Sequence, residues 1–253
     1  MSPEKLLAVV AVTFAIAQPA SAVTITSVTG VWESVNVSGG NASGVGTQSI
    51  LWGKAPRRGN QSGYTFEGAE SPISTNVEDP FQLGTFTHQN NPIYINGGLL
   101  NTADLAISFT IAGSEQTYRS VFEFDHLETP NHAKTCADGQ TSSAAINSNG
   151  CADSVTAVLN QDASQGFFID GLEYVLDISG FLFDDTLLDT FWTREQSENI
   201  AGLQASYRLI SDDTPPQYDP PFDGDTPSEV PLPATGFLLL GALAGLAAKK
   251  RFS

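Results

Sequence analysis

The strongest pattern along the chain is alternation with a period of two. Leu105, Ile107, Phe109 and Ile111 are apolar at every second position, with Ala106, Ser108 and Thr110 between them. After a turn signal at Gly113-Ser114-Glu115-Gln116, Tyr118, Phe122 and Phe124 resume the alternation, so the two runs predict an antiparallel hairpin. Residues 167–169 and 172–178 are apolar runs parted by Asp170-Gly171, the two-residue turn whose positive φ angles match the twist of paired strands. Residues 23–37 alternate Val, Ile and Thr and predict an opening strand interrupted near Gly30. Shorter strands are expected at 49–52, 62–66 and 154–159, and the acidic, turn-rich stretch 68–80 reads as a loop. Phe191-Trp192-Thr193 and residues 203–210 are expected to form a last pair, with Leu203, Ala205, Tyr207 and Leu209 on one face. Nothing between residues 23 and 210 sustains a helical period. The expected fold is therefore all-β, an antiparallel β-sandwich of the jelly-roll kind.

The two ends break the pattern. Residues 1–22 have Lys5, an apolar run from Leu6 to Ala17 and the small-residue site Ala20-Ser21-Ala22, the layout of a secretory signal peptide. Residues 211–229 combine prolines with Asp212, Asp213, Asp219, Asp223, Asp225 and Glu229 and carry no base. Such a segment has too little to bury and reads as an extended, disordered stalk closing the 23–210 domain. Residues 230–253 then join a proline motif, an uncharged segment and the basic stop Lys249-Lys250-Arg251. Helical residues 234–248 would span about 22 Å at ~1.5 Å each, short of the ~30 Å hydrocarbon core. A plain membrane anchor and a processed sorting tail both fit this layout, with the basic residues on the cytoplasmic side.

Charge narrows the partners. The formal net charge is -17, which disfavours nucleic acid, because phosphate contacts need Lys and Arg. The only two cysteines, Cys136 and Cys151, lie close together in a chain read as exported, and a disulfide between them is expected.

Two runs hold the candidate chemistry and all 3 histidines. One contains Thr87, His88, Gln89 and Asn90 before Asn91-Pro92-Ile93; the other contains Asp125, His126 and Glu128 before Thr129-Pro130-Asn131-His132. Each places a histidine at a strand end before a polar turn. One reading is a shared site, holding a metal through imidazole and carboxylate ligands or sugar hydroxyls in a polar pocket. The other is that these side chains bond the backbone at strand ends. Asp125, Glu128 and Asp170 are candidate Ca²⁺ ligands, although no EF-hand pattern is present; no other cofactor is expected. No nucleophile elbow or P-loop occurs, so no catalytic residue is assigned. A glycosidase acid pair stays as a remote third alternative. Trp32, Trp52 and Trp192 are read as core or as sugar-stacking rings.

Val230-Pro231-Leu232-Pro233-Ala234, with its apolar run and basic end, resembles the VPLPA variant of the PEP-CTERM sorting signal. That resemblance implies recognition by an exosortase-type transpeptidase in Gram-negative bacteria that make extracellular polysaccharide. Leu232-Pro233-Ala234-Thr235-Gly236 also matches the LPxTG signal of Gram-positive sortases. Gly84-Thr85-Phe86-Thr87-His88-Gln89-Asn90 is similar to the signature of the THxN family of PEP-CTERM proteins, with looser matches across related choice-of-anchor domains. This likeness implies an exported β domain on a sorting tail and supplies no catalytic residues. The expectation is a cell-surface or matrix protein, translocon-exported and transiently membrane-anchored, structural or adhesive in an exopolysaccharide layer. The alternative is a carbohydrate- or calcium-binding module.

Overall fold

Alternation becomes two sheets. The computed structural model describes residues 22–210 apart from Arg58 and Glu78. The expected signal peptide (1–22, but for Ala22), stalk, sorting motif and basic stop lie outside the described residues.

Numbered in chain order, one sheet contains β1 (Ala22–Ser38), β4 (Ile73–Asn76), β6 (Leu99–Ile111), β7 (Thr117–Leu127), β8 (Asp153–Asn160) and β12 (Phe191–Thr193). Its order is β12-β8-β7-β6-β1-β4. The other contains β2 (Ser49–Trp52), β3 (Ser62–Gly68), β5 (Phe81–Asn90), β10 (Leu172–Phe183), β11 (Thr186–Leu188) and β13 (Ser197–Leu209). Its order is β11-β10-β13-β5-β3-β2, and β9 (Phe167–Ile169) pairs with β10. The strand pairings in both sheets are antiparallel. Their inner faces form a β-sandwich.

The expected hairpins form. Leu105 faces Phe122 and Phe109 faces Tyr118 across β6 and β7. Asp170 and Gly171 take φ angles of 50° and 83° between β9 and β10, as that turn type requires. Between the sheets, Trp32, Tyr64, Phe66, Phe86, Phe124 and Phe181 are fully buried. Phe86 stands 5.3 Å from Phe124 and 5.5 Å from Phe181, ring centre to ring centre. Each such side chain contributes about 1.5–3 kcal/mol through burial.

Three expectations change. β1 runs unbroken through Gly30; a β-carbon there would collide with the Phe66 ring, so the glycine serves close packing. The 68–80 stretch contains β4, an edge strand on the start of β1. The 191–193 and 203–210 segments do not pair. β12 joins β8, whereas β13 lies between β10 and β5 in the other sheet. Between them Gln196, at φ 55°, helps turn the chain from one sheet to the other. Two three-residue 3-10 turns, Ala145–Asn147 and Gln161–Ala163, are the only helical segments among the described residues, and none is long and apolar enough to cross a membrane.

Candidate functional site

At one end of the sandwich the inward-facing positions change from apolar to polar. Along β5, Phe86 is followed on the same face by His88 and Asn90; along β7, Phe122 and Phe124 are followed by His126 and then Glu128. β8 begins with buried Asp153 two residues before buried Val155, and Phe191 and Thr193 of β12 lead to buried Glu195. The four strand ends therefore deliver histidines, acids and an amide into the space that phenylalanines fill further along.

Hydrogen bonds assign part of this network. Thr193 donates its hydroxyl proton to the Asp153 carbonyl at 3.2 Å. His88 Nδ1 lies 2.9 Å from that same hydroxyl oxygen, so Nδ1–H is the donor there and the lone pair sits on Nε2. Among the described residues His88 Nε2 has no partner. Asn90 donates to the Thr193 carbonyl at 3.1 Å. His126 Nδ1 is 2.6 Å from the Tyr64 hydroxyl, and its Nε2 is 3.3 Å from Glu128 Oε2. Asp153 Oδ1 accepts from the Thr129 backbone N–H at 2.7 Å, while Oδ2 has no partner among the described residues. Asn131 donates to Glu195 Oε1 at 2.7 Å, and among the described residues Asn131 Oδ1 and Glu195 Oε2 have no hydrogen-bond partner.

The electrostatics follow from burial. Burial first, then Glu195, pushes the Glu128 carboxyl up to about 8. Burial and the Glu128 carboxylate push Asp153 up to about 8, against the pull of His126. Glu195 is also raised by burial, with Asn131 opposing. Burial lowers His126 to about 4 and holds His88 well below the ordinary imidazole range. Among the described residues none of the three acids pairs with a lysine or arginine. One nitrogen or oxygen from each of His126, Glu128 and Asp153 lies within 4.8 Å of the others.

A cavity of about 750 Å³ opens beside this cluster, with Glu128 on its wall. The β5–β6 connection contributes Pro92, Ile93, Tyr94 and Ile95, while the segment after β7 contributes Asn131, His132, Asn147 and Asn149. Tyr94 is 47% exposed and Ile95 81%. The Cys136–Cys151 disulfide closes the second segment, and the Thr129 hydroxyl lies 3.0 Å from the Cys151 carbonyl. The bridge thus holds the Glu128–Asn131 turn from beneath. No family profile and no curated protein matches this chain.

The two histidine-bearing runs meet here: His88 and His126 have ring centres 5.3 Å apart. Asn90 joins through Thr193, and Glu128 through His126. Thr87 is half-buried on the opposite face of β5, and Asp125 is exposed on the outer face of β7. Asp170 occupies the β9–β10 turn and His132 the cavity wall. Trp32 and Trp52 are core, Trp52 stacking on His88 at 5.7 Å, and Trp192 is half-buried in β12. Sequence reasoning did not single out Asp153 or Glu195. Their signal is phase, since each continues the inward positions of an apolar strand.

Proposed function

We propose that this jelly-roll-like domain is an exported carbohydrate-binding module, held at the cell surface or in the matrix by its C-terminal sorting signal. In this reading it acts by adhesion within an exopolysaccharide layer, and by binding without turnover. The observation that carries it is the cavity's composition. A sugar ring presents an apolar C–H face and a hydroxyl edge. The 92–95 segment offers apolar and aromatic surface, and Asn131, Ser142, Asn149 and Gln196 offer amide and hydroxyl groups. Among the described residues no lysine or arginine lines it, which favours neutral glycans over anionic ones. The likeness to THxN and PEP-CTERM proteins supports export, sorting by an exosortase-type transpeptidase and placement beside polysaccharide.

Calorimetry against a panel of neutral and acidic polysaccharides tests the reading. Binding of a neutral glycan, weakened at least tenfold by Tyr94→Ala, is expected. No heat from any glycan at millimolar concentration would refute it.

A further inference from the structure

We infer that His126, Glu128 and Asp153 form a binding site for a first-row divalent metal ion, with Zn²⁺ the best fit. The inference goes beyond the glycan reading and does not rest on it. His126 Nε2 and Glu128 Oε2 are 3.3 Å apart. Two ligands at about 2.0–2.1 Å from a tetrahedral ion stand roughly 3.3–3.4 Å apart, so this edge already has the required length. The third group lies within the 4.8 Å span of the cluster.

Asp153 supplies an independent indication. It is wholly buried, its Oδ1 is committed to the Thr129 N–H, and Oδ2 is left without a partner among the described residues. A fully buried carboxylate oxygen is rarely left so. Glu195 adds a third acid nearby, again without a lysine or arginine partner among the described residues. A cation would relieve both the unmet oxygen and the like-charge repulsion.

The donor set selects the ion. Ca²⁺ takes six to eight oxygens at about 2.3–2.6 Å, whereas an imidazole with two carboxylates in a tight group suits zinc and its neighbours. The calcium set of Asp125, Glu128 and Asp170 is not the one brought together, because Asp125 points outward from β7. Tyr64 completes the design. With Nε2 turned to the ion, His126 Nδ1–H donates to the Tyr64 hydroxyl at 2.6 Å, which fixes the tautomer and the ring. Tyr64 is a positioning residue here. Glu128, at the cavity wall, places the ion where solvent or a ligand can reach it.

The test uses the mature domain, stripped with chelator, titrated with Zn²⁺, Ca²⁺ and Mg²⁺ in the absence of glycan. One Zn²⁺ per chain should bind and raise the melting temperature, and Ca²⁺ and Mg²⁺ at equal concentration should not. Co²⁺ should give visible d–d bands. His126→Gln and Glu128→Gln should each weaken Zn²⁺ binding roughly a hundredfold or more, since even outer-shell changes cost about 10–100-fold. Because Asp153 also accepts the Thr129 backbone N–H, changes there mix folding with ligation, and Glu128→Gln at the cavity wall is the decisive variant. No Zn²⁺ bound at micromolar concentration would overturn the site, meaning that protons alone neutralise the acids. Zn²⁺ binding unchanged in both variants would place it elsewhere and overturn it equally. Glycan binding, measured separately, stands or falls on its own.

Discussion

A carboxyl group on the inward phase of a strand must stay protonated or find a positive partner. Glu128 and Asp153, both pushed up to about 8, hold protons in the metal-free fold that they would release when unfolded. Between about pH 4 and 8 the folded state therefore binds more protons at these groups, and their contribution to stability declines as pH rises through that window. His126 works the other way. Lowered to about 4, it favours the fold above the ordinary imidazole range and loses that contribution as pH falls toward 4. Above about pH 6.5 only the acids act. The metal-free domain should then melt at progressively lower temperature from pH 6.5 to about 8, and Glu128→Gln should flatten that slope. A melting temperature independent of pH over this range would contradict the burial of these acids. Much of this was legible one residue at a time. His88, Asn90 and His126 stand out by type, and they lie in phase with Phe86 and Phe124. Asp153 and Glu195 share the same phase logic, but acids are frequent in this chain and neither carries a motif. Only the fold brings β8 beside β7 and β12 beside β8.

At the scale of elements, the loop between β7 and β8 depends on its bridge. It is built from Ser, Asn, Thr, Gly and Ala, with few side chains to bury, and Asn147 ties it locally by donating to Asp138 and accepting from the Ala152 N–H at 2.7 Å. The disulfide closes a separation of 15 residues, and the Thr129 contact passes that order to the Glu128 turn. A Cys136→Ser, Cys151→Ser double variant should lose roughly 2–4 kcal/mol in chemical denaturation, with glycan affinity falling alongside. Full stability and affinity in that variant would show that the loop orders itself. The hairpins β6–β7 and β9–β10 were readable because local alternation and the Asp170-Gly171 turn act over neighbouring residues. β4 was not, because Ile73-Ser74-Thr75-Asn76 has one apolar residue and only half-buries it at a sheet edge. The partners of β12 and β13 were not readable either. Pairing between distant strands depends on which sheet each enters, and the chain crosses between sheets at Glu195-Gln196.

At the scale of the whole molecule, the proposed function combines a C-terminal address with a binding surface. The address is tested by mass spectrometry of the mature protein from cell-surface material. Processing near 230–234 should remove the tail, a cut between Thr235 and Gly236 would indicate a sortase, and an intact end at Ser253 would remove the processing claim. The surface is the cavity where the two histidine-bearing runs meet, with apolar groups from one connection and amides from the other. The central claim is that a glycan sits there. Amide chemical-shift mapping during titration with a neutral oligosaccharide tests it most directly. Saturable shifts are expected at Ile93–Ile95, Glu128–His132 and Asn147–Gly150, with the outer sheet faces unmoved. Shifts centred on an outer sheet face, or none at millimolar sugar, would contradict it.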